Sequence, residues 1–332
     1  MLLYGTRGKA ESELRKCLGY DNISNDVLAK TFESFISSLN NFPDDYSASY
    51  ANSLVIQKDF EVLEQYKTDL NTYFKAFCLQ ADFAKEPAAA VEQINNWVKD
   101  STNSMIPRLL DSLDASTVMV LLNAVYFKGF WVKQFKEKST FMQYFYNNGI
   151  EDEAPLVEMM HLSESFLFVE KESFKVLQLP YKGEEIAMLI FLPKSREGLH
   201  EMEDLLTPNF IPEIKKEMHK EKIEVALPKF RLEYSKDLKD TFEELGVKEI
   251  FQSGADFGGI SLCKNLFVSE VHHKAVLDVN EEGCEAAAST AAVVMLRAIH
   301  FTPEFIADHP FAFVIYNMMN DLILFMGRVT EL

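Results

Sequence analysis

The sequence predicts an α+β chain, and three observations carry that prediction. Helical periodicity dominates the early part of the chain, strand-like runs dominate the late part, and the two do not alternate as βαβ units would. The chain has 332 residues, 48% hydrophobic and 25% charged, a globular composition long enough for a large core or two. Only 13 glycines and 11 prolines are present, which excludes collagen-like repeats and long disorder. No internal repeat and no linker-like stretch interrupts it.

The elements follow in order. Residues 26–40 read as a helix, because Leu28, Phe32, Phe35, Ile36 and Leu39 recur at three- and four-residue spacing, with Ser24, Asn25 and Asp26 available as caps. Ser49–Ile56 reads as a strand. Residues 88–111 read as a second long helix with Val91, Ile94, Trp97 and Val98 on one face. Val118–Phe127 is almost wholly apolar and ends at Lys128-Gly129, the signature of a strand buried on both faces, and Ile186–Leu192 is a second such run. Ile223, Val225 and Leu227 alternate as a half-buried strand does. Asp237–Leu245 is a short helix stopped by Gly246. Phe311–Tyr316 and Leu322–Phe325 flank Asn317–Asp321 and predict a hairpin.

The formal net charge is −18. Without a Lys/Arg run longer than two residues, so acidic a chain repels nucleic acid and anionic membranes. No apolar run approaches the roughly 18–20 residues of a membrane span. The start, Met1 to Lys9, offers an apolar stretch of three or four residues, against the roughly 7–15 of a secretory signal core. Two readings follow: a cytosolic protein, or a chain whose start lies upstream. The four cysteines, Cys17, Cys78, Cys263 and Cys284, form no CxxC pair, so neither a zinc ribbon nor a thioredoxin motif is present. Asn22-Ile23-Ser24 has the form of a glycosylation acceptor.

An enzyme finds little support. Gly5-Thr6-Arg7-Gly8-Lys9 lacks the spacing of a phosphate loop and a preceding strand, and reads as a turn, as does Gly258-Gly259. His272 and His273 are adjacent; in a strand they point to opposite faces and cannot share a metal. Met159-Met160 reads as packing. No HExxH, no GxSxG and no Cys–His pair is present, so neither metal nor cofactor is expected. One segment, Glu281 to Ala298, departs from a globular pattern. Propensity makes it a helix. Period-2 spacing gives a second reading: Cys284, Ala286, Ala288, Thr290 and Ala292 form one compact face that, in an extended chain, fits between existing strands.

With these residues in view, the sequence resembles the serpin family. Glu281-Glu282-Gly283-Cys284-Glu285-Ala286-Ala287-Ala288 resembles the inhibitory hinge, and Asn123 to Gly129, followed by Trp131, resembles the third strand of the main sheet. His273 to Leu277 is similar to the fifth strand, and Ile94-Asn95-Asn96-Trp97-Val98 to the helix lying over that sheet. Leu227 to Phe230, Gly254 to Ile260 and Asp308 to Phe311 are similar to further family blocks, in family order over nearly the whole chain.

The resemblance implies one domain, 1–332, of three sheets with surrounding helices, an exposed reactive loop at about 281–309, and a metastable fold. It implies suicide trapping: a serine protease cuts the loop, forms a covalent acyl complex, and is dragged as the loop inserts into the main sheet. Counting from Glu281 puts the reactive bond at Arg297–Ala298 and a trypsin-like, arginine-directed protease as the partner. A register shifted by a residue or two would present Leu296 or Met295 to chymotrypsin-like enzymes. Asn123 and His273 resemble the polar pair where the sheet opens, Lys229 and Glu281 the ion pair near its top, and Trp131 the buried indole there. Met1 to Gly8 resembles the end of the family's second helix, so the first helices are expected to be missing. Cys284 replaces the usual hinge Thr or Ser. Helix 26–40 carries only Lys30, against Asp26 and Glu33, so heparin activation through it is not expected. The implied molecule is a monomeric, secreted glycoprotein inhibitor if a signal peptide lies upstream, and cytoplasmic otherwise. The alternatives are a non-inhibitory carrier, chaperone or storage serpin, and a non-functional fragment.

Overall fold

A computed structural model describes residues 1–39, 46–205, 209–282 and 302–332. The helices α1 (Leu2–Gly5), α2 (Gly8–Leu18) and α3 (Asn25–Leu39) come first, then β1 (Tyr46–Gln57), α4 (Glu64–Phe74), β2 (Phe77–Ala81), α5 (Pro87–Ser101) and β3 (Met119–Gly129). Strands then predominate: β4 (Thr140–Tyr144), β5 (Leu156–Glu170), β6 (Phe174–Pro180) and β7 (Ile186–Pro193). After α6 (Leu199–Glu203) and α7 (Phe210–Glu217) come β8 (His219–Pro228), β9 (Phe230–Asp237), α8 (Lys239–Glu244) and β10 (Glu270–Val279). The short β11 (Glu304–Ile306) and the hairpin β12 (Phe311–Asn317) and β13 (Ile323–Val329) close the chain.

Two sheets result. One has the order β2-β1-β3-β10-β9; the other has the order β11-β8-β5-β6-β7-β12-β13, with β4 added on β5. The second and third sheets implied by the resemblance are continuous here because the 15-residue β5 belongs to both: Met159–Phe168 pair with β8 and Leu167–Glu170 with β6. The chain divides into two compact units. The first contains Ser47–Phe127 and Leu232–Leu277 with the N-terminal helices, and the second Lys128–Arg231 and Asp278–Leu332.

In the first unit α5 buries Ile94 and Val98 against Val55, Leu122, Ala124, Tyr126 and Val276, each such side chain contributing about 1.5–3 kcal/mol by leaving water. The helix opens with Pro87 in its first turn. It ends ten residues before the periodicity predicts. Thr102 turns its hydroxyl onto the Val98 carbonyl and accepts from the Ile106 N–H, and Asn103 and Ser104 follow at φ 51° and 65°. Gly5 and Gly259 meet as a turn contact, Gly259 N–H donating to Gly5 O at 3.0 Å. In the second unit β7 is buried at every position, and β12 lies between β7 and β13 with Phe311–Tyr316 all buried. The predicted hairpin is the antiparallel β12–β13 pair. Met159 and Met160 are core residues of β5.

Candidate functional site

The run read as buried on both faces is asymmetric. In β3, Val120, Leu122, Ala124 and Tyr126 are buried, while Leu121, Asn123 and Val125 are only half-buried. The polar residue on the less buried face builds a relay. Asn123 Nδ2 donates to Asn52 Oδ1 of β1 at 2.6 Å, and Asn123 Oδ1 lies 2.6 Å from His273 Nδ1 of β10. With Oδ1 as the acceptor, His273 carries its proton on Nδ1. Three neighbouring strands are thus tied by side chains as well as by backbone. Burial lowers the His273 pKa below its ordinary 6.5, favouring the neutral ring. Tyr234 of β9 brings its ring centroid to 6.2 Å from that of His273. His272 is bonded separately, to Glu270 at 2.6 Å. Among the described residues no group of His, Cys, Asp and Glu is placed to hold a metal.

A second cluster lies where β10 ends, in the other unit. Glu281 is 8% exposed, and its carboxylate stands 3.3 Å from Lys229 Nζ, which also reaches Glu158 at 3.7 Å. Burial alone would raise the Glu281 pKa. Its own backbone N–H and the neighbouring Lys229 outweigh that and hold it below the ordinary carboxyl value. Lys128 pairs with Glu282. Trp131 donates from Nε1 to Asn280 O at 2.9 Å and stacks on Tyr181 with centroids 4.4 Å apart. Gly129 is required there, because a Cβ would stand 2.2 Å from the Tyr181 ring.

The chain is anchored again at β11, whose Glu304, Phe305 and Ile306 pair in parallel with Glu224, Val225 and Ala226 of β8. Glu224 N–H also donates to Pro303 O, and Lys175 Nζ to Glu304 O at 2.8 Å. Asp308 and His309 bond at 2.7 Å, with the opposite ring nitrogen 2.8 Å from Pro193 O.

Of the residues singled out in the sequence, the structure brings Asn123 to His273, and Lys229 to Glu281. Asn52, Glu158 and Tyr181 carried no sequence signal; each is recruited by strand register or by a ring on another strand. Asn22 is exposed in the turn between α2 and α3. On α3, Asp26 and Lys30 are exposed and Glu33 half-buried. Cys17, Cys78 and Cys263 are free thiols, and burial pushes Cys78 up to about 11. Gly283, Cys284, Glu285, Ala286, Ala287, Ala288, Arg297 and Ala298 lie outside the described residues. Among those described, no helix is long and apolar enough to cross a membrane.

A family model described as "Serpin (serine protease inhibitor)" matches residues 1–332. The chain is 37% identical to intracellular coagulation inhibitor 2 of Tachypleus tridentatus, over 100% of this chain and 82% of that one. It is also 37% identical to leukocyte elastase inhibitor of Sus scrofa, over 100% of this chain and 89% of that one. Its fold superposes on uncleaved ovalbumin with a TM-score of 0.89 at 27% identity, covering 100% of this chain and 89% of the other.

Proposed function

The chain belongs to the serpin family, and from that membership we propose that it inhibits arginine-directed serine proteases by presenting Arg297–Ala298 as the bond to be cut. The observation that carries the proposal is the Asn52–Asn123–His273 relay. Strands β3 and β10 are direct neighbours, so a loop strand entering between them must part Asn123 from His273. The relay would therefore hold the sheet closed until cleavage frees the loop.

The chemistry belongs to the protease. Its serine oxygen attacks the Arg297 carbonyl, the peptide bond to Ala298 breaks, the released amine takes the proton, and Arg297 is left as an ester on the enzyme. A pocket carboxylate would pair with the Arg297 guanidinium in two parallel hydrogen bonds. The residues from Glu281 to Ala288 then lead the loop into the sheet, where small side chains at alternate positions meet least obstruction. Insertion satisfies new backbone hydrogen bonds and carries the acyl-enzyme with it, distorting the protease before water can release it. In this reading the chain contributes no catalytic group, acts as a single monomeric domain over 1–332, and binds no cofactor or heparin. It reaches extracellular proteases if it is secreted, with Asn22 as a glycosylation site, and intracellular ones otherwise.

Incubation with trypsin followed by denaturing electrophoresis tests this. A detergent-stable band at the summed mass, absent for Arg297→Glu, is the expected result. Cleavage without that band favours a non-inhibitory serpin. A band with chymotrypsin instead of trypsin moves the specificity position to Leu296 or Met295.

A further inference from the structure

A cavity of about 400 Å³ opens at the outer end of the polar relay, entirely within the first unit. Ser49 and Asn52 of β1, Lys75 at the end of α4, Phe77 of β2, Trp97 and Ser101 of α5, and Asn103 line it. Three of these residues are incompletely used by the fold. Phe77 is 47% exposed and sets its ring edge-on to Trp97, centroids 6.0 Å apart, leaving an aromatic wall. Lys75 sits at φ 47° where α4 ends, donates only to the Thr72 carbonyl at 3.2 Å, and makes no ion pair among the described residues. Asn52 lends Oδ1 to Asn123, while its own NH₂ group has no partner among the described residues.

We propose that this cavity binds a small aromatic carboxylate, its ring against Phe77 and Trp97 and its carboxylate shared by Lys75 and the Asn52 amide, and that the bound acid steadies the Asn52–Asn123–His273 relay. The volume falls within the roughly 300–1,000 Å³ of small-molecule sites, and the two rings share the lining with the polar Ser49, Asn52, Lys75, Ser101 and Asn103, a mix that suits a ligand with one flat face and one charged end. An unpaired ammonium in an acidic chain selects for an anion by charge and for a planar acid by the two rings. An acceptor bonded to Asn52 NH₂ fixes the amide with Oδ1 turned to Asn123, the orientation the relay needs. A ligand that binds only the closed sheet lowers the ratio of open to closed sheet by a factor of 1 + [L]/Kd, about tenfold at ten times Kd. The consequence for inhibition rests on the reading proposed above; the binding does not.

The test uses the full chain and 2-naphthoate, with neutral 2-naphthamide as the paired probe. Calorimetry should show one saturable site for the acid and binding of the amide at least tenfold weaker. Lys75→Gln should abolish that preference, and Phe77→Ser should weaken both probes at least tenfold, with thermal unfolding confirming that both variants fold. No saturable site, equal affinity for acid and amide, or affinity untouched by both substitutions overturns the site. Hydrogen exchange then reads the coupling: the acid should slow amide exchange in β3 and β10, and unchanged exchange at saturation overturns it. In the trypsin assay, saturating acid should shift product from trapped complex towards cleaved chain. Absence of trapped complex with and without the acid counts against the inhibitory reading alone, because calorimetry and exchange need no protease.

Discussion

Asn123 and His273 share a hydrogen bond, Oδ1 to Nδ1 at 2.6 Å, across the boundary between β3 and β10. Asn123 Nδ2 donates to Asn52 Oδ1 at the same distance, so a single side chain serves both neighbouring strands. Asn123→Ala should cost more than an ordinary surface change, because it leaves two half-buried partners unsatisfied. A loss of about 1–3 kcal/mol is expected, read as a lower midpoint in thermal or denaturant unfolding. An unchanged midpoint would remove the relay from the account of sheet closure.

Acidity should loosen the fold through His273. Burial sets its folded pKa below 6.5, so the unfolded chain takes up a proton first as pH falls. The stabilisation is therefore complete above 6.5 and is lost as pH drops from there through the lower folded value. His161, also lowered by burial, contributes with the same sign. Unfolding midpoints at about pH 7.5 and about pH 5.5 should differ less for His273→Gln than for the unaltered chain, with a residual slope from His161. An identical slope in the variant would show that His273 does not titrate in this window.

The ion pair at the end of β10 should respond unequally to its two halves. Removing Lys229 leaves a carboxylate that is only 8% exposed, whereas removing Glu281 leaves a lysine with Glu158 and solvent. Lys229→Met is expected to lower stability by about 1–3 kcal/mol and Glu281→Gln by less. The folded Glu281 pKa lies below its ordinary 4.5, so its share is present above 4.5 and lost as pH falls through the lower value. A pH titration of unfolding for both variants checks the order and the window.

Gly129 should not tolerate a side chain. An alanine Cβ at 2.2 Å from the Tyr181 ring forces either the ring or β3 to move, and the ring is held by Trp131. Gly129→Ala is expected to cost about 1–3 kcal/mol. Pairing it with Tyr181→Leu should recover part of the loss, and calorimetric unfolding of the single and double variants measures that recovery.

The legible parts of the fold were those whose periodicity matched their burial. β7, buried at all eight positions, and the β12–β13 hairpin stand where the apolar runs put them. The α5 boundary was hidden, since Asn103 and Ser104 adopt left-handed backbone without the glycine that usually announces it. Strands β5 and β9, with their mixed exposure, gave no clean alternation. Within the site, Asn123, His273, Lys229, Glu281 and Trp131 could be named from local residue blocks. Asn52 could not, because its role depends on the register of β1 against β3, and a strand's own sequence does not say which residue it will face.

One strand pair fixes where the pieces go once the chain is cut. The residues flanking 283–301 are both held by the β8–β9 corner: Lys229 grips Glu281 on the one side, and β8 pairs with β11 on the other. Beyond β11, the chain runs on into β12, a strand walled in by β7 and β13. Scission at Arg297 would therefore separate the polypeptide without separating the particle. The tail from Ala298 to Leu332 should co-migrate with the remainder on gel filtration and part from it only in detergent, so a nicked sample will pass for intact by every native measure of size.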